Sequence, residues 1–309
     1  MAAKLAPQRT LGKTGAEVPL IGYGTSPLGK PDKVPPKEAV RLINHAIDLG
    51  ITYIDTSPDY GSEPHVGEVM KTRRDEVFLA TKVNKRSKEG VLAEIKESLE
   101  KLQTDHVDLI QIHALNAWAD LEQVLAKDGT IAALEQARKD GLVKYLGITG
   151  HARPAILGKA LEEYDFDTVL VAIGMADRLV SSPETFLMPI ARQKNAGVIA
   201  MKVLGHGEFP NKELALRYSL NIEGVSLAII GMENQGHVDG IVEMASKGLE
   251  PLSDVEMERL IGTVRPLVEE DARAAQGEAG KEQRPKLFWL HDTKVMGWKE
   301  HDEPALVTY

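Results

Sequence analysis

A (β/α)8 barrel preceded by a small hairpin is the fold this sequence predicts, on three observations. Eight short runs rich in Val, Ile and Leu alternate with eight helix-like segments over residues 20–246. The runs show little apolar–polar alternation, as parallel strands covered on both faces should. The first run also lacks the G-x-G-x-x-G turn of an open dinucleotide-binding sheet.

Taken in order, Arg9–Val18 (RTLGKTGAEV) sets a Gly–Lys–Thr–Gly turn between two short runs and reads as a hairpin over 9–19. The barrel strands are expected at Leu20–Tyr23, Ile51–Ile54, Val77–Val83, Val107–His113, Tyr145–Thr149, Thr168–Ile173, Val198–Val203 and Val225–Ile230. The first helix, Lys37–Leu49, carries Ala39, Val40, Ile43, Ala46 and Ile47 at helical spacing, and Gly50 suits its C-cap. Further helices are expected at Glu63–Met70, Lys88–Leu102, Gly129–Asp140, Arg153–Glu162, Pro183–Asn195, Lys212–Asn221 and Gln235–Met244. Asp254–Ala275 adds one more helix, and residues 276–309 form a tail. Within the tail, Gly277–Lys286 reads as polar and mobile, whereas Leu287–Leu290 (LFWL) and Trp298 are too apolar to be simply solvated. No stretch rich in Gly, Pro and Ser divides the chain, so residues 1–309 read as a single barrel domain.

Bulk properties exclude several functions. A formal net charge of −9 argues against nucleic acid or an anionic membrane as partner. The absence of cysteine removes disulfides, thiolate metal sites, iron–sulfur clusters and cysteine nucleophiles together, and no metal site is expected. No apolar run approaches the roughly 18 residues of a membrane span, and MAAKLAPQRT lacks the apolar centre of a signal peptide. A cytoplasmic location is the expectation.

Chemistry gathers at three successive strand ends. Ile51–Ile54 ends in Asp55, and the following turn carries Tyr60; Val77–Val83 carries Lys82, and Val107–His113 ends in His113. Strand C-terminal ends are where α/β proteins bind ligands. A tyrosine is a poor acid near neutrality, but a neighbouring ammonium lowers its pKa, and a carboxylate keeps that ammonium charged and fixed. A neutral histidine can hold a carbonyl oxygen against the phenol. The four suit protonation of a carbonyl as hydride arrives from a cofactor, or the reverse on an alcohol. Singly, Asp55 and Lys82 make an ordinary structural ion pair, His113 a core histidine and Tyr60 a turn aromatic; their shared placement favours catalysis.

At these residues the sequence resembles the aldo-keto reductases. RTLGKTGAEVPLIGYGT is similar to the family's opening and DTSPDYGSE to its acid-and-tyrosine signature. TKV and LIQIH are similar to the segments with its lysine and histidine, and GLVKYLGIT, GVIAMKVLG and VSLAIIGMENQGHVDG to later strands. The resemblance implies Asp55, Tyr60, Lys82 and His113 as the catalytic set, with Tyr60 as general acid and base. It implies NADP(H) as cofactor, with NAD(H) or dual use as the alternative. Cofactor positions carried over are Gly24, Thr25, Asp55, Thr149, Met201, Lys202, Leu204, Gly205, Gly231, Glu233 and His237; substrate positions are Tyr23, Tyr60, His113 and Trp118. Departures fall on the cofactor side. Thr149–Gly150 stands where many members have Ser–Asn, VAIGMADR offers no glutamine, and Met201 replaces a stacking aromatic. Glu233 stands where NADP-specific members carry basic residues, with His237 nearby. Some relatives carry an iron–sulfur tail, which a chain without cysteine cannot. The partner implied is a small carbonyl or alcohol compound. Two other functions stay open: a non-catalytic nicotinamide-nucleotide-binding barrel that senses redox state, and a Schiff-base lyase using Lys82 or Lys202.

Overall fold

A computed structural model describes residues 8–151, 153–275 and 286–290. Two short antiparallel strands, β1 (Gln8–Thr10) and β2 (Glu17–Pro19), come first, with Arg9 opposite Val18. A 3-10 turn at Gly12–Thr14 joins them and ends on Gly15 at φ 67°. Eight parallel strands follow: β3 (Ile21–Gly24), β4 (Tyr53–Asp55), β5 (Phe78–Val83), β6 (Val107–Ile112), β7 (Val143–Gly150), β8 (Thr168–Ala172), β9 (Gly197–Met201) and β10 (Val225–Gly231). They close in the order β10-β3-β4-β5-β6-β7-β8-β9, so the (β/α)8 barrel and its hairpin are as expected.

The hairpin plugs the end of the barrel where strands begin. Leu11 and Val18 pack with Tyr53, Ala80, Leu109, Leu170, Ile199 and Leu227 in one apolar cluster inside it. Side chains on a strand repeat a face every two residues. The next inward positions after Tyr53, Ala80 and Leu109 are therefore Asp55, Lys82 and Gln111, so the interior turns polar towards the strand C-termini. Register agrees, with Lys82 beside Gln111 and Gln111 beside Gly147.

Helices return at Pro36–Asp48, Glu63–Arg73, Lys88–Leu102, Thr130–Lys139, Pro154–Glu163, Lys212–Leu220 and Gln235–Ser246, close to their expected places. Two regions differ. The insert after β6 forms a helix at Trp118–Leu125. Between β8 and β9 the expected helix Pro183–Asn195 is broken into Pro183–Phe186 and Met188–Gln193, with a further short helix, Met175–Val180, ahead of them. Pro189 accounts for the break at Leu187: it has no N–H to donate one turn back, and its ring crowds the carbonyl there.

Asp254–Ala275 is one helix, burying Leu260, Val264 and Val268 at intervals of four residues. Near its end the buried Asp271 accepts the backbone N–H groups of Lys286 (2.6 Å) and Leu287 (2.9 Å), bringing the tail back to the body. Leu287 and Trp289 are buried, and Phe288–Leu290 lies against Met175–Val180. Residues 277–285 and Trp298, for which expectations were stated, lie outside the described residues. No helix among the described residues is long and apolar enough to cross a membrane.

Candidate active site

The ends of β4, β5 and β6 and the turn after β4 build the site. Lys82 is almost completely buried, so its ammonium must find partners. It donates to Asp55 Oδ1 at 2.5 Å and to the Thr56 carbonyl at 2.8 Å. The other carboxylate oxygen, Oδ2, accepts from Gln111 Nε2 at 3.0 Å. Thr25 fixes the Asp55 backbone, donating to its carbonyl through both N–H (2.9 Å) and Oγ1 (3.0 Å). Tyr60 sits on the turn that Gly61 completes at φ 79°. A Cβ on Gly29 would lie 1.7 Å from the Tyr60 carbonyl oxygen, so only glycine lets the turn after β3 approach this closely. The Lys82 ammonium stands 4.8 Å from the centre of the Tyr60 ring. The His113 ring meets the Tyr60 ring edge-on at 5.9 Å. Asp55, Tyr60, Lys82 and His113 are therefore brought together, with the lysine between the acid and the tyrosine.

Burial opposes charge on Lys82, but Asp55 and Tyr60 outweigh it and raise its pKa, so the ammonium persists at neutral pH. Burial pushes the His113 imidazole down, with Asp59 opposing, which favours the neutral ring near pH 7. Tyr60 corrects the expectation drawn from adjacency. Burial raises its phenol, and the Lys82 charge that pulls the other way does not overcome it. The hydroxyl stays protonated, a donor rather than a phenolate.

Tyr23 is a second correction. Gly22 and Gly24 face into the barrel, where added Cβ atoms would lie 2.4 and 2.8 Å from Ile229 side-chain carbons. Tyr23 between them faces the helix layer and donates its hydroxyl to the Met232 carbonyl at 2.8 Å, away from the interior that leads to Asp55 and Lys82. Trp118 stands about half exposed, at 48%, at the start of its helix.

Among the residues expected on the cofactor side, Thr149 is buried, and its Oγ1 accepts the Ala114 N–H at 2.9 Å, tying β7 to the loop after β6. Met201 and Lys202 are half-buried at the end of β9. Lys202 Nζ meets His206 Nε2 at 2.8 Å and lies 5.7 and 5.8 Å from the Phe288 and Trp289 ring centres. Burial pushes its amine down to about 8, with Asp177 opposing and Lys82 adding to the effect. No described carboxylate pairs with it. A cation held this way suits an incoming anion, which would return the amine towards its ordinary pKa. Leu204 is half-buried and Gly205, at φ 59°, turns back beneath Phe209. Gly231 ends β10 and Glu233 and His237 follow it; all three are exposed, and Glu233 N–H donates to His237 Nδ1 at 3.4 Å. Asn234 caps the following helix, accepting the His237 N–H at 2.9 Å.

Several residues of this site were missed from the sequence. Gln111 was legible, since it lies two positions before His113 on the same face. Asp59 lies inside the quoted DTSPDYGSE segment but was given no role, and Asn84, just past β5, carried no motif. His151, kept neutral by burial and by nearby cations, lies two residues past Thr149. Asp177 accepts from Trp289 Nε1 at 3.0 Å across 112 residues of sequence, a contact without any local signal.

Fold and site together define a closed (β/α)8 barrel whose mouth gathers a tyrosine beside a buried, fixed ammonium, with a second lysine on the loop after β9. The model of the Aldo/keto reductase family matches residues 20–213, and the chain belongs to that family. It is 29% identical to L-galactose dehydrogenase of Arabidopsis thaliana, over 84% of this chain and 95% of that one. It is also 29% identical to D-threo-aldose 1-dehydrogenase of a Pseudomonas species, over 64% of this chain and 70% of the relative. Among solved structures it is similar to the aldo-keto reductase AKR11C1 of Bacillus halodurans in its holo form. That match has a TM-score of 0.71 and 25% identity, and covers 84% of this chain and 96% of the other. Family membership makes it an NAD(P)H-dependent oxidoreductase of carbonyl substrates.

Proposed function

We propose that this protein moves a hydride between the nicotinamide of NAD(P)(H) and a small carbonyl or alcohol compound, with Tyr60 as general acid and base. The observation that carries the reading is the Lys82 ammonium, buried between the Asp55 carboxylate and the Tyr60 ring. A bound nicotinamide supplies or accepts the hydride. The chain's own residues handle the proton. Tyr60 keeps its hydrogen until charge develops on the substrate oxygen; the fixed ammonium then stabilises the phenolate left behind. His113, in reach of the same oxygen, orients it. Lys202 and the loop through Gly205 suit the cofactor's phosphates, Met201 a face of its ring, and the exposed turn at Gly231, Glu233 and His237 its adenosine end. The Glu233 carboxylate opposes a 2′-phosphate, so preference for NADPH over NADH is weak. Two relatives are named for sugars, so an aldose-like substrate is the class to test first.

Replacing Tyr60 with Phe tests the reading, with nicotinamide absorbance as readout. The variant should bind cofactor like the parent and lose at least 10²–10⁴-fold in turnover, the order expected for a missing general acid. Turnover within a few-fold of the parent would remove Tyr60 from that role. A parent that binds cofactor but turns over no aldehyde would favour the redox-sensing alternative.

A further inference from the structure

His113 is anchored through Nδ1. Asn84 Oδ1 lies 2.8 Å from that nitrogen, Ser57 Oγ 3.4 Å and Asp59 Oδ1 3.5 Å. The direction of the Asn84 amide follows from its surroundings. Its Nδ2 sits 3.5 Å from Asp59 Oδ1 and 3.5 Å from Glu94 Oε1, both acceptors, so the oxygen is the end that faces His113. Glu94 is itself fixed by the N–H groups of Asn84 (2.7 Å) and Lys85 (3.0 Å). The Ser57 hydroxyl donates to Asp59 Oδ1, which leaves its oxygen only as an acceptor towards the ring. Every group around Nδ1 therefore accepts, and Nδ1 carries a proton in each charge state of the ring. Nε2 has no hydrogen-bond partner among the described residues. In the neutral ring it is a bare lone pair, which repels a carbonyl oxygen. Only the imidazolium has an N–H there to offer.

We propose that Asp59, together with Asn84, is a positioning residue that fixes His113 as its Nδ1–H tautomer, so that capture of a carbonyl oxygen requires the doubly protonated ring. The carbonyl half of this proposal rests on the hydride-transfer reading above; the tautomer does not. Asp59 has the chemistry for the role. Burial would raise its carboxyl, but hydrogen bonds from His113 and Ser57 hold it well below the usual carboxylate range. It is therefore the anion that an imidazolium needs. The other charges facing His113 are Asp55, which also favours its protonation, and Lys82, which disfavours it. Tyr60 contributes a neutral ring edge, His151 is neutral, and Arg86, paired with Asp120, donates to the His113 backbone carbonyl at 2.6 Å. Efficiency of carbonyl reduction should accordingly fall as pH rises through the His113 titration, and Asp59 should set where that fall occurs.

The test uses full-length protein labelled with ¹⁵N-histidine, with the His113 signals assigned by their loss in His113→Gln. Above its titration the ring should show a proton on Nδ1 and a bare Nε2. Asp59→Asn should move the His113 midpoint down by about half a pH unit or more. The falling limb of kcat/KM for aldehyde reduction should move with it, while the dissociation constant for cofactor stays put. An Nε2–H tautomer in the neutral ring, or an unmoved midpoint, overturns the proposal; so does a midpoint that moves while the limb does not. If the parent reduces no carbonyl at all, the hydride-transfer reading fails on that result, and tautomer and midpoint alone decide the role of Asp59.

Discussion

The two halves of the barrel mouth are built by different means. On the β4–β6 side the functional groups leave regular strands at inward register positions and are fixed by a buried ion pair. On the β9 side the chain leaves the strand through a loop with left-handed backbone at Lys202 (φ 62°), Gly205 (59°), His206 (57°) and Gly207 (91°). Non-glycine residues pay roughly 1–2 kcal/mol each for that conformation, so the loop needs support from outside. Part of that support comes from the far end of the chain. Trp289 stacks on His206 at 5.3 Å and donates to the buried Asp177, and Phe288 meets His206 edge-on at 5.1 Å. One half is an extension of the barrel core, whereas the other is assembled from a loop and a returning tail. The proton chemistry proposed above belongs to the first and cofactor binding to the second, so the two should respond differently to mutation and to pH.

The largest contrast should come from removing each half's lysine. Lys82→Met leaves the Asp55 carboxylate buried without its cation, a change that typically costs about 3–5 kcal/mol. Equilibrium unfolding should register that loss, and turnover should fall with it. Lys202→Met removes a half-buried amine with no carboxylate partner, and its cost to stability should stay below about 1 kcal/mol. Its effect should appear as weaker cofactor binding. Equal destabilisation by the two would break the distinction between the halves.

Asp177 gives the second contrast, a pH dependence belonging to the tail-supported half. Burial raises its carboxyl to about 6, from an ordinary value near 3.8. The folded chain thus takes up this proton at higher pH than the unfolded chain does. The penalty for the charged form is absent below pH about 4 and complete above about 6, so stability falls as pH rises through that window, by at most about 3 kcal/mol. Asp177→Asn cannot titrate. Measured by denaturant unfolding, the parent should gain on the variant as pH is lowered from 7 towards 4.5. A gap that does not change with pH would show that this carboxyl does not titrate in that window.

The same division explains what could be read from the sequence. The eight strands, the hairpin and the set Asp55, Tyr60, Lys82 and His113 were legible because strand periodicity and local motifs encode them. Tyr23 was misplaced although the signal was present: Gly22 and Gly24 share the inward face with Asp55, so the residue between them must point outward. The break at Pro189 was equally local. The direction of the Tyr60 shift was not legible, because adjacency reveals the lysine's pull but only the packed structure reveals how deeply the phenol is buried. The Trp289–Asp177 contact had no sequence signal, since the two residues stand 112 positions apart and only the packed structure brings them together.

The smallest expected effect lies at the outer edge of the cofactor half and sharpens the contrast there. Glu233 is exposed on the turn after β10, its own N–H directed to His237. If the adenosine end of the cofactor rests on this turn, a 2′-phosphate brings negative charge towards that carboxylate, whereas NADH brings none. Two like unit charges about 4 Å apart in water repel by roughly 1 kcal/mol, a factor of about five in affinity. Added salt screens such an exposed interaction further. Preference for NADPH over NADH should therefore be modest, under about a hundredfold. Glu233→Gln should raise it about fivefold at low ionic strength and by less in 0.15 M salt, through the dissociation constant of NADPH with that of NADH unchanged. Parallel fluorescence titrations with both cofactors read this directly. A strong NADPH preference untouched by Glu233→Gln would place the phosphate against other groups, with Lys202 and Arg217 the cations to replace next.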